Sequence, residues 1–139
     1  MAPLRAERHT APVKLLVVIA VGLRPKDLAH APVLQGLGKH GFAAPLDTVF
    51  PAVTCSVQAT FLTGLRPSGH GAVGNGWYFR DLAQVMLWRQ SNQLVHGEKL
   101  YQAAKQRFGS RTAKLFWWWN MYAPGVDWSI TPRPEYHAD

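Results

Sequence analysis

Thr54, Cys55 and Ser56 stand together where Phe50-Pro51-Ala52-Val53 runs into Val57 to Leu62, a stretch with the look of a helix closed by Thr63-Gly64. The first amide hydrogens of a helix have no intrahelical partner and the dipole there favours negative charge, so a helix start is a natural seat for a phosphate. Three nucleophile-type side chains therefore fall where a phosphate would be held. From the residues alone, Thr54 or Ser56 serves equally well as an N-cap, the usual work of a hydroxyl at that position.

Downstream, Arg66 to Gly76 is rich in glycine and carries two chemically distinctive side chains, His70 and Asn75. Such a backbone turns tightly or approaches something closely, and a plain spacer needs neither an imidazole nor an amide. Arg24 and Arg66 are candidates to attract phosphate, with surface ion pairing as the plainer fate of each. Cys55 reads as a small buried residue rather than a reactive thiol.

The elements that must position these groups suggest an α/β fold with a mostly parallel sheet and flanking helices. Leu15 to Val21 is a continuous apolar, largely β-branched run of the kind buried on both faces of a parallel sheet. It ends at Gly22, near where ligands gather at strand ends in such sheets. A helix should start near Pro32 and stop at Lys39-His40-Gly41, and Ala43 to Phe50 should form a second, parallel strand. Trp77 to Asp81 begins an aromatic segment that leads to Leu82 to Trp88, with no clear pattern. Glu98 to Phe108, before Gly109, has the spacing of a surface helix. Lys114 to Tyr122 is a third candidate buried strand, and Ser129 to Asp139 reads as a loop.

The chain has 139 residues, 47% of them hydrophobic, enough for one packed domain and too apolar for a disordered chain. Residues 1–12 read as a loose leader and 13–139 as the domain. The net charge of +7 comes from scattered Lys and Arg, which favours anionic partners without specifying them. One cysteine allows neither an intramolecular disulfide nor a CxxC metal knot. The apolar run after the basic leader is too short to span a bilayer and lacks a small-residue cleavage site, so a cytoplasmic location is favoured.

Four elements in order resemble the type I phosphodiesterase and nucleotide pyrophosphatase group of the alkaline phosphatase superfamily. They are Val21-Gly22-Leu23-Arg24-Pro25, Pro51-Ala52-Val53-Thr54, the segment from Thr63-Gly64 through Pro67 to His70-Gly71, and Gly74-Asn75. The resemblance implies an alkaline-phosphatase-like core and hydrolysis of a phosphodiester or pyrophosphate in a phosphorylated small molecule. The reaction would use two divalent metal ions, commonly zinc, and a phosphothreonine intermediate. Thr54 matches the nucleophile, which is also a metal ligand, and Asn75 the amide that binds a nonbridging phosphate oxygen. His70 matches a residue that is not a ligand and so shapes the loop. A metal lowers the pKa of a threonine hydroxyl, which is otherwise a poor nucleophile.

Two departures qualify what the resemblance implies. Val21 stands where the family has a metal-binding aspartate, and it offers no donor atom. The family's other Asp and His ligands follow a region like this one, and Asp127, His137 and Asp139 match no ligand motif. The expectation is an N-terminal part that holds metal tightly only with a C-terminal half. A noncatalytic relative that binds phosphorylated ligands or a protein partner is the alternative. A basic, aromatic-rich nucleic-acid binder is a second, resting on Lys114 and Phe116 to Trp119, though consecutive aromatics on a strand face opposite ways and core packing accounts for them better. Trp77 to Arg80 and Trp117 to Asn120 are candidates for an aromatic substrate wall near Thr54.

Overall fold

The computed structural model describes residues 14–133; the leader expected over residues 1–12 lies outside the described residues, as do His137 and Asp139. The chain divides into two compact units, Met1–Pro45 and Leu46–Asp139.

In the first unit, Leu15 to Val21 is not the buried strand that its composition predicts. It has no regular secondary structure, and Leu16 and Val21 are 85% and 82% exposed. A strand exists only where neighbours take its N–H and C=O groups, and no described strand does so here. A turn follows, with Gly22 at φ 81° and the Leu23 N–H donating to the Ala20 carbonyl. Helix α1 spans Pro32–His40, as expected. Its proline supplies a preset φ at the first turn, and the Gly41 N–H closes it on the Leu37 carbonyl at 2.9 Å. Arg24 takes the surface fate anticipated for it, gripping Asp27 through Nε at 2.9 Å and a second guanidinium nitrogen at 2.8 Å. That contact holds the Asp27 carboxyl below the usual carboxylate range.

In the second unit, helix α2 is Thr54–Thr63, followed by the one-turn helix α3 at Pro67–His70. Gly64 at φ 70° and Gly71 at φ 81° end them in the left-handed region that glycine enters at little cost. Strands β1 (Gly76–Phe79) and β2 (Gln84–Leu87) form an antiparallel hairpin. Helix α4 is Leu100–Phe108, stopped by Gly109 as its spacing predicts. Strands β3 (Ala113–Leu115) and β4 (Trp128–Ile130) pair in parallel. The described residues thus make a small α/β assembly of helices and two two-stranded sheets, one antiparallel and one parallel, rather than a mostly parallel sheet. Ala43 to Phe50 is irregular where a strand was expected.

The run Lys114 to Tyr122 also departs from a single strand. Phe116 and Trp119 adopt φ of 58° and 62°, which turns the chain so that Trp118 and Trp119 are both buried instead of facing opposite ways. Trp118 donates its backbone N–H to Gln58 Oε1 at 2.7 Å and its indole N–H to the Arg89 carbonyl at 2.9 Å. Trp119, fully buried, donates its indole N–H to the Cys55 carbonyl at 3.3 Å and meets Trp77 edge to face at 5.3 Å. These two rings build the core with Cys55, Ala59, Leu62, Val95 and Tyr101, and rings so enclosed give a nucleic-acid base nothing to stack on.

His70 latches α3 to α2. The Ala72 N–H donates to its Nδ1 at 3.1 Å, so Nε2 carries the proton and donates to Thr60 Oγ1 at 3.0 Å. With both ring nitrogens engaged and the side chain fully buried, the imidazole shapes the loop, as anticipated. Burial lowers its pKa.

Trp119→Ala empties the centre of this core and should lower unfolding free energy by about 3–5 kcal/mol, whereas Phe108→Ala at an exposed position should stay within about 0.5 kcal/mol; urea denaturation measures both. For His70 the folded state favours the neutral ring, so its contribution is complete above the unfolded value of about 6.5 and declines as pH falls below it. Stability followed from about pH 7.5 to about pH 5.5, one unit to either side of that value, should fall more steeply in the wild type than in His70→Asn. Identical slopes would show that the ring does not titrate with folding.

Candidate functional site

The start of α2 is built differently from what its sequence predicts. The helix begins at Thr54, one turn ahead of the expected Val57, with Val53 as its N-cap and no hydrogen bond from a capping side chain there. Neither Thr54 nor Ser56 is the cap. The Ser56 hydroxyl donates instead to the carbonyls of Pro51, at 2.5 Å, and Val53, at 3.1 Å. The free N–H of Cys55 is taken by a residue twenty positions on, Asn75, whose Oδ1 accepts it at 3.0 Å.

That contact brings together the two residues singled out from the sequence, since Asn75 lies against the first turn that carries Thr54. The Asn75 carbonyl accepts the Trp88 N–H at 2.8 Å, so the mouth of the β1–β2 hairpin fixes its backbone. Its Nδ2 and the Thr54 hydroxyl have no hydrogen-bond partner among the described residues, and both side chains are half-buried. A hydroxyl, an amide donor and the unpaired first-turn amides of Thr54 and Ser56 form an arrangement suited to an oxyanion.

Cys55 is fully enclosed, and burial pushes its thiol up to about 12, which keeps it protonated and inert. Asp127 is engaged elsewhere. It accepts from Lys105 Nζ at 2.9 Å and from the Thr112 N–H at 2.8 Å, contacts that hold its carboxyl low. Arg66 precedes α3 as its N-cap residue and makes no ion pair among the described residues. Val21 brings no donor atom, and among the described residues no three His, Cys, Asp or Glu side chains gather where they could hold a metal ion.

Of the aromatic wall, Trp77 and Trp119 meet edge to face, but Trp119 is core; Trp77, Phe79 and Trp117 are half-buried and Tyr78 is exposed. The capping role of Asn75 and the indole bond from Trp119 to Cys55 escaped sequence reasoning. Both span long separations in the chain and leave no local signature.

The model of the family described as type I phosphodiesterase / nucleotide pyrophosphatase matches residues 15–139. Comparison with curated proteins gives no match. The match covers most of the chain and contains each of the four elements that carry the resemblance. The chain belongs to the type I phosphodiesterase / nucleotide pyrophosphatase family.

Proposed function

We propose that the chain contributes the nucleophile and the phosphate-binding amide of a metal-dependent phosphodiester or pyrophosphate hydrolase with an alkaline-phosphatase-like core. Thr54 Oγ1 attacks phosphorus and gives up its proton, the bond to the leaving oxygen breaks and that oxygen takes a proton, and a phosphothreonine forms; water then attacks its phosphorus, the phosphoryl group leaves on the water oxygen, and Oγ1 regains a proton. Asn75 donates its Nδ2 hydrogens to a nonbridging phosphoryl oxygen, where charge must be held as the reaction proceeds. The observation that supports this reading is the Asn75 Oδ1 bond to the Cys55 N–H, 3.0 Å long, because it sets the amide beside the first turn with its donor end unengaged.

The family resemblance brings with it two divalent ions, zinc by preference. The described residues do not fit them: beyond the Thr54 hydroxyl no ligand set is present, and Val21 occupies the usual aspartate position. The reading takes residues 13–139 as the N-terminal part of a longer hydrolase domain whose remaining ligands follow in sequence. Val21 specifically favours a second reading, a relative that binds phosphorylated ligands without turning them over.

In a full-length protein with zinc, cleavage of an aryl phosphodiester should disappear in Thr54→Ala and drop by about 10²–10³ in kcat in Asn75→Ala. Equal activity in wild type and Thr54→Ala would remove Thr54 from its role. Zinc titration separates the two readings: stoichiometric tight binding supports the hydrolase, and its absence in a folded full-length protein supports the binding relative.

A further inference from the structure

Gln58 stands one turn after Thr54 on α2, and residues four apart on a helix share one strip of its surface. It is 9% exposed, and its Oε1 accepts the Trp118 backbone N–H at 2.7 Å. A backbone N–H can only donate, so that contact fixes which end of the amide is oxygen and which is nitrogen. Nε2 is the free end, with no hydrogen-bond partner among the described residues. The buried side-chain atoms that lack a partner there are Gln90 Oε1 and Asn120 Oδ1, so Gln58 Nε2, also unpartnered, keeps surface that a ligand atom can reach. Side chains this enclosed normally have their donors met, and this one does not.

A circuit of contacts ties this amide to Asn75. Asn75 Oδ1 accepts the Cys55 N–H at 3.0 Å, and the Asn75 carbonyl accepts the Trp88 N–H at 2.8 Å. The Trp88 ring meets that of Trp118 edge to face at 5.5 Å, and Trp118 returns to α2 at Gln58. The circuit leaves the helix at Cys55 and rejoins it at Gln58, less than one turn later. Helical side chains lean towards the N-terminus, so Gln58 reaches back over the turn that bears Thr54. Two side-chain amides, each with its oxygen engaged and its nitrogen free, therefore border that turn.

We infer that Gln58 is a second phosphate-binding residue of this site, its Nε2 donating to a nonbridging oxygen of the phosphodiester that Asn75 also holds. This rests on the phosphate-binding role proposed for Asn75 and not on the nucleophilic role proposed for Thr54. A phosphodiester has two nonbridging oxygens that share one negative charge, and both only accept. Two neutral amide donors answer that pattern without placing a fixed charge beside the reacting group.

The test titrates the whole chain with dimethyl phosphate, at an ionic strength held constant with sodium chloride, and follows the side-chain amide ¹⁵N–H signals of Gln58 and Asn75. Both should move along one saturation curve. Gln58→Glu keeps an oxygen for the Trp118 N–H but replaces the donor with a negative charge, so a purely structural role would leave binding unchanged. Read at Asn75, Gln58→Glu should instead weaken binding by at least about tenfold, the worth of a hydrogen bond to a charged group. The inference is overturned if the Gln58 signals stay still while those of Asn75 move, or if Gln58→Glu binds like the wild type; either result leaves the reading of Asn75 standing. If neither residue's signals move, the inference and the phosphate-binding role of Asn75 fall together. Should Gln58→Glu fail to fold, the wild-type Gln58 signals decide the matter.

Discussion

The hydrogen bond from the Cys55 N–H to Asn75 Oδ1 is the constraint around which the candidate site is arranged. Helix α2 has three hydroxyl or thiol residues in its first turn, yet none caps it, because Ser56 turns back to the carbonyls of the preceding loop. The cap arrives from the hairpin instead. An amide suits the position for a reason beyond capping: its oxygen accepts from the helix while its nitrogen remains a donor. An aspartate would accept the same N–H, but it would carry a negative charge towards any incoming phosphate and offer nothing to donate. One side chain thus caps the helix start and leaves an amide donor beside it.

The core around α2 explains the buried lysines. Between α4 and β4 the chain turns through left-handed residues at Phe116, Trp119 and Tyr122, and such turns leave carbonyls that no helix or sheet satisfies. Lys114 serves the carbonyls of Trp118 and Trp119 there; ahead of α4, where Gly97 is itself left-handed, Lys99 serves those of Val95 and Gly97. An ammonium brings three donors on a flexible stem, which makes it an efficient partner for clustered carbonyls. The cost is visible in Lys114, where burial, with Lys99 adding repulsion, lowers the pKa to about 8.

Helices were legible in the sequence and strands were not. Pro32 with Gly41, Gly64 after Thr63, and Gly109 after Phe108 mark helix ends by local backbone chemistry, and the structure ends its helices at those residues. Leu15 to Val21 and Ala43 to Phe50 carry strand composition, but a strand needs a neighbour, and composition cannot supply one. The β1–β2 hairpin was missed because it turns through Arg80–Leu82 and a left-handed Ala83, without the glycine or asparagine that usually signals such a reversal. In the candidate site, Thr54 and Asn75 were found through the four-element resemblance. The bond that joins them depends on where the hairpin folds back, so no local pattern announced it.

The donors around Thr54 and those around Lys99 differ in physical kind. The donors identified around Thr54 are neutral: first-turn amides and the Asn75 Nδ2. Around Lys99 the donor carries a full charge, which is spent on the carbonyls of Val95 and Gly97. Neutral, oriented dipoles hold an oxyanion without locking it in place, which suits a group whose bonds must change while it is bound. Fixed buried charge favours the bound state of a static ion and offers no comparable preference for a transition state. The distinction between the two places follows from which donors are charged and which are already engaged.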